Sequence, residues 1–145
     1  MMNQFGIEIS KGRLKIYARV QEVGGDILVS LWGGDRPHIG AVGIAVPRPS
    51  LEDPKKWSAT SSTLTFLGHK EDMLVKRISE KLASQLKRNV VVTAGIHWDT
   101  ITRTEIKTAG ALTDRISDQM IKRLSAPAKK KNRPARHKND ILSRK

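Results

Sequence analysis

Along residues 1–22 apolar side chains fall on every second position: Phe5, Ile7 and Ile9, then Leu14, Ile16, Ala18 and Val20. A period of two is the repeat of a β-strand with one face buried. Lys11-Gly12 interrupts the run once, so it reads as two strands joined by a hairpin turn. Gly24-Gly25 marks a second turn, and residues 26–32 read as a third strand. Residues 39–46 form a fourth, almost continuously apolar. To this point the pattern predicts an antiparallel meander. Pro47-Arg48-Pro49-Ser50 breaks it, and a loop rich in Pro, Lys and Ser runs to about residue 60. Residues 61–67 return as a strand.

The period then changes. Over residues 70–87, Leu74, Ile78, Leu82 and Leu86 recur four apart, with Val75 and Ala83 widening the stripe. That is one buried face of a helix. Glu71 and Asp72 lie in its first turn, where carboxylates complement the helix dipole. Residues 89–96, with Val90, Val91 and Val92 in a row, predict another strand. Thr102-Arg103-Thr104-Glu105 matches a capping box and opens a second helix. Ile106, Ala109, Thr113, Ile116, Met120 and Leu124 mark its inner face, and Gly110 weakens it by roughly 1 kcal/mol. The fold class expected is α+β: a two-layer arrangement, a mostly antiparallel sheet with two helices on one face.

Two strands do not fit a sheet with one wet face. Residues 39–46 and 90–92 are apolar on both sides of the pleat, where such a sheet would alternate. Something is expected to cover the second face: a second copy of the chain, making a homodimer, or the loop that carries Trp57.

Composition refines this picture. The 145 residues fit one domain. The absence of cysteine removes disulfides, thiolate metal sites and cysteine nucleophiles. No signal sequence or membrane-length apolar run is visible, which agrees with a cytoplasmic protein without a membrane partner. The net charge is +13, but residues 126–145 hold eight Lys/Arg and one Asp, a balance of +7, leaving +6 for the body. The domain is therefore set at residues 1–124. Residues 125–145 are expected to be a basic disordered tail, a solubilising extension or a nucleic-acid contact that does not read sequence.

Three of the four histidines lie in short polar runs at element ends: Gly33-Gly34-Asp35-Arg36-Pro37-His38-Ile39-Gly40, Gly68-His69-Lys70-Glu71-Asp72 and Ala94-Gly95-Ile96-His97-Trp98-Asp99. Element ends are where folds place binding residues. Pro37 fixes the first loop so that Arg36 and His38 project to one side. Glycines inside the following strand, Gly40 and Gly43, mark a close backbone approach. The second run precedes a helix whose free N–H groups suit an anion. In the third, His97 and Asp99 alternate around Trp98, the arrangement in which a carboxylate orients an imidazole. Each run also reads as an ordinary polar turn. None has the spacing of a zinc protease helix, a serine nucleophile elbow or a phosphate-binding loop, so no catalytic residue and no metal ligand is assigned, and a three-histidine metal site assembled in space stays as an open alternative.

With these runs in view, the chain resembles the small D subunit of UbiD-type hydroxyarylic acid decarboxylases, such as gallate decarboxylase. The similarity rests on Gly-Gly-Asp-x-Pro-His-Ile-Gly-Ala-Val at 33–42, Pro-Arg-Pro-Ser-Leu at 47–51, Gly-His-Lys-Glu-Asp at 68–72 and Val-Val-Thr-Ala-Gly-Ile-His at 91–97. It spans about residues 3–107. Trp98 departs from it, since a smaller apolar residue is expected there.

The resemblance implies a chaperone for prenylated FMN (or FMN), not an enzyme: a decarboxylase accessory subunit that delivers the cofactor to the apoenzyme. The candidate binding residues are then Gly34, Asp35, Arg36, His38 and Gly40 from the first run. Gly68, His69, Lys70 and Glu71 come from the second, His97 and Asp99 from the third. Ile39, Ile96 and the tryptophans would supply an apolar wall. Two other readings stay open, a small enzyme with a His97/Asp99 acid–base pair and a nucleic-acid-binding protein acting through its tail.

Overall fold

The computed structural model describes residues 3–66, 68 and 71–127. The alternating N-terminal half becomes strands β1 (Gln4–Lys11), β2 (Leu14–Val23) and β3 (Asp26–Gly34). After them come β4 (Ala41–Pro49), β5 (Trp57–Thr65), α1 (Asp72–Leu86), β6 (Val90–His97) and α2 (Arg103–Ser125).

The six strands form one sheet in the order β1-β2-β3-β6-β4-β5. Every neighbouring pair is antiparallel except β3 and β6, which run parallel from Ile27↔Val90 to Gly34↔His97. The fold is the expected α+β, with one correction to its order. The meander ends at β3, because β6 inserts between β3 and β4. A strand apolar on both sides suits the sheet centre, and its pairing joins distant stretches of chain that periodicity does not encode. Two boundaries also differ. β4 begins at Ala41, since residues 35–40 form the loop that crosses the end of β6. β5 begins at Trp57 and not at residue 61, because its Ser/Thr-rich sequence carries no alternation signal.

Strand registers align one set of residues on a common face: Ile7 and Ile9, Leu14 to Val20, Ile27 to Leu31, Ala41 to Ala45, and Val90 to Ala94, each by alternate positions. Both helices pack here. α1 buries Val75, Ile78, Leu82 and Ala83, and α2 buries Leu112, Ile116 and Met120. Each fully buried branched side chain contributes roughly 1.5–3 kcal/mol. Gly43 sets the approach of α1, since a Cβ there would lie 2.7 Å from the Val75 carbonyl oxygen. Ile106, placed on the inner face by periodicity, is 55% exposed instead.

The opposite face carries no helix. Tyr17 and Trp32 stack on it at 5.7 Å, and Leu28, Val91, Val42, Ile44, Val46 and Leu64 share it by register. The Trp57 loop does not cover it. Trp57 lies on the helix side, with Lys87 Nζ 5.0 Å from its ring centroid. No described helix is long and apolar enough to cross a membrane. The basic tail from residue 128 onward lies outside the described residues.

Candidate functional site

The site is built where β3 and β6 end side by side. Gly34 closes β3 with φ of 79°, a conformation that favours glycine, and a Cβ on it would meet the His97 carbonyl oxygen at 2.0 Å. The chain then turns across the end of β6. Asp35 N–H donates to the His97 carbonyl at 2.7 Å and Gly40 N–H to the Ala94 carbonyl at 2.8 Å. Gly95 makes this crossing possible: a Cβ there would sit 1.8 Å from the carbonyl oxygen of His38. The first and third histidine runs are thus two strands of one crossing.

The loop fixes His38 from both sides of its ring. Nδ1–H donates to the Arg36 carbonyl at 2.8 Å, and Nε2 pairs with Glu71 Oε1 at 2.9 Å. Glu71 is the N-cap residue of α1, yet its carboxylate makes no capping bond to the helix. It lies instead against Gly40, where a Cβ would come within 2.4 Å of Oε2. This pair ties the first run to the second.

A second cluster faces it. Asp99 Oδ1 accepts from Arg36 Nη2 at 2.6 Å and from His97 Nε2 at 3.1 Å. The His97 hydrogen bond, helped by Arg36, holds the Asp99 carboxyl below the usual carboxylate range. Asp35 Oδ2 accepts the Asp99 N–H at 2.8 Å. Arg13, from the β1–β2 turn, donates to both Glu105 carboxylate oxygens at 2.8 and 3.0 Å and to the Asp99 carbonyl at 3.1 Å. The β6–α2 loop, where Thr100 has φ of 50°, is therefore clamped from outside.

Between these clusters, α1 and α2 part to leave a cleft of about 1030 Å³. That is at the upper end for small-molecule and cofactor sites. Arg36, His38, Gly68, Glu71, Arg77 and His97 line its polar part. Ile16, Leu74, Ile96, Ile101 and Ile106 form apolar wall, and Ala109, Gly110 and Thr113 line it on α2. Gly110 has no heavy atom within 4 Å of where a Cβ would stand, so its missing side chain keeps the cleft open.

Of the predicted residues, Arg36, His38, Gly68, Glu71 and His97 therefore meet in one cleft. Gly34 and Gly40 shape its loop, while Asp35 and Asp99 stand behind, orienting backbone and cations. His69 and Lys70 lie outside the described residues. Two expectations are corrected. Ile39 is 56% exposed and does not line the cleft. Trp32 stacks on Tyr17 on the opposite face of the sheet.

Sequence reasoning missed Arg77, Leu74 and Arg13. The first two were findable, since positions 71, 74 and 77 share a helix face. Arg13 had no local signal. Among the described residues, no group of three or more His, Asp or Glu is placed to hold a metal ion.

A planar, phosphorylated ligand fits this set of groups. Arg36 and Arg77 offer guanidinium donors, and the isoleucines offer a flat apolar wall. Trp98 adds a further observation. It lines the cleft, is 7% exposed, and its buried Nε1–H has no hydrogen-bond partner among the described residues. An unpaired buried donor is uncommon in a folded protein. A second groove of about 690 Å³, between β5 and α1, contains none of the motif histidines.

Two known proteins and one family resemble the chain over most of its length. Protein LpdD of Lactiplantibacillus plantarum is 28% identical over 126 residues, covering 87% of this chain and 89% of its own. In a crystal structure of a chaperone complex for yeast 20S proteasome assembly, one chain shares the fold at 12% identity and a TM-score of 0.53. That match covers 86% of this chain and 98% of the other. Residues 10–125 match the family described as prenylated flavin chaperone LpdD-like domain, and the chain belongs to that family.

Proposed function

We propose that the cleft between α1 and α2 binds prenylated FMN and that the protein delivers it to a UbiD-type decarboxylase apoenzyme. The observation that carries this is the cleft itself. It sets Arg36, Arg77, His38 and His97 beside a wall of four isoleucines and Leu74, in a member of a prenylated flavin chaperone family. A phosphomonoester calls for cationic donors and a fused ring for flat apolar contact. Arg36 and Arg77 would hold the phosphate, and the isoleucines and Trp98 would face the ring. When bound, the cofactor would bring the electron-accepting ring that the partner enzyme uses. This chain's residues bind, orient and shield it.

The acid–base reading of His97 and Asp99 is less well supported. Arg36 occupies the same Asp99 oxygen at 2.6 Å, so the carboxylate is shared and His97 is not its sole partner.

The test is native mass spectrometry of the protein from cells that make prenylated FMN, followed by transfer to an apo-decarboxylase. One cofactor per chain and restored decarboxylase activity are expected. Arg36→Ala should weaken FMN binding about tenfold or more, because a hydrogen bond to a charged group contributes about 1.5–3 kcal/mol. Arg36→Ala, His38→Ala and His97→Ala variants that all bind like the parent would exclude this cleft. Multiple-turnover decarboxylation by the isolated chain would exclude a carrier role.

A further inference from the structure

We infer that the open face of the sheet is the contact surface for a second copy of this chain. The inference does not depend on what the cleft binds. On β3, β6, β4 and β5 the outward residues include Leu28, Trp32, Val91, Ile44, Val46 and Leu64, interspersed with Ser and Thr. Ile44, Val46 and Leu64 are 49%, 51% and 66% exposed. A helix or loop would normally cover such side chains, and among the described residues none does.

Charge places the centre and the rim. In a chain of net charge +13, the middle of this face carries no ionic side chain. Glu8, Lys15 and Arg19 face outward on β1 and β2, Asp26 at the start of β3, and Arg48 at the end of β4. An apolar centre depleted of charge, with an aromatic pair and a polar rim, is the anatomy of a protein interface. A two-fold contact sets each surface against itself. An uncharged centre tolerates that arrangement. The groove beside α1, where Lys76, Arg77 and Lys81 outnumber the single Glu80, would set net positive charge against itself.

The size also fits. Six strands about 4.8 Å apart, most eight or nine residues long at about 3.3 Å each, give a face of roughly 600–800 Å². A standard interface takes about 800 Å² per partner. Because the cleft opens among the helices, on the other side of the sheet, pairing leaves two clefts accessible.

The full chain should sediment as a dimer at micromolar concentration. Ile44→Glu should raise the dissociation constant at least a hundredfold, with its circular dichroism and FMN affinity unchanged. The chain has no cysteine, so Ile44→Cys gives a single thiol. It should form an intermolecular disulfide on oxidation, whereas Val23→Cys, at a strand end, should not. A parent that stays monomeric at 100 µM would overturn the inference. So would a dimer that survives Ile44→Glu while Ser62→Pro on the β5 edge dissolves it, since that pattern marks edge-to-edge pairing.

Discussion

Glycines in the histidine runs separate two kinds of close contact. At Gly95 an added Cβ meets backbone, the His38 carbonyl oxygen at 1.8 Å. At Gly40 it meets the end of the Glu71 side chain, which can swing away. Gly95→Ala should therefore cost roughly 3 kcal/mol or more, and Gly40→Ala about 1 kcal/mol, read from urea unfolding. Equal costs would mean that the loop does not cross β6 as described. Gly110 gives the opposite case. It sits inside α2 with open space around it, so Gly110→Ala should stabilise by about 0.5–1 kcal/mol. Gly110→Phe should keep the fold but fill the cleft, lowering flavin affinity at least tenfold. Unchanged affinity in that variant would put the ligand elsewhere. At this scale the motifs were legible and their reasons were not. The sequence shows a glycine before His97, but only the crossing of two distant segments explains why no side chain fits there.

Elements were legible where their signals are local. The capping box read at Thr102 and Glu105 is present in full, with Glu105 N–H donating to Thr102 Oγ1 at 3.2 Å and Thr102 N–H to Glu105 Oε2 at 2.9 Å. Thr102→Ala should cost about 1 kcal/mol. Arg13 adds what the sequence could not show. Its hydrogen bonds, with the backbone bond from Thr102, hold the Glu105 carboxyl at about 2 against an ordinary 4.5. A carboxyl depressed in the folded state stabilises above its unfolded value and loses that contribution as pH falls through the folded one. The thermal midpoints of the parent and Arg13→Ala should thus differ most above about pH 4.5 and converge towards pH 2. A constant difference would mean that Arg13 acts through packing alone. The placement of β6 was illegible for the reason that Arg13 was: both depend on partners far along the chain. β5 escaped in part because an edge strand of Ser and Thr has no apolar period to read.

At the scale of the whole molecule, the distribution of charge is as informative as its sum. Residues 126–145 hold eight Lys/Arg against one Asp, +7 of the total +13. The last described contacts of α2 with the sheet precede that segment. Arg123 Nη1 donates to the Gly6 carbonyl at 3.1 Å and its guanidinium lies 3.9 Å from the Phe5 ring centroid, docking the last turns of α2 on β1. α2 then ends at Ser125, and Ala126 is extended. The core residues of α2 all precede this point, the last fully buried one being Met120. A chain cut after Pro127 therefore keeps every buried contact described for the body and should tolerate the cut. Its thermal midpoint should stay within about 2 °C of the parent's, and its FMN affinity should be unchanged. A loss of about 1 kcal/mol would lower the midpoint of a domain this size by roughly 4 °C, which is readily seen. What the cut should remove is affinity for polyanions. Binding to non-specific DNA at low salt should fall, and so should the slope of that binding against salt, because fewer phosphate-bound cations are released. A fragment that unfolds early would move the domain boundary into the basic segment, and one that keeps the parent's salt slope would place the polyanion contact on the body.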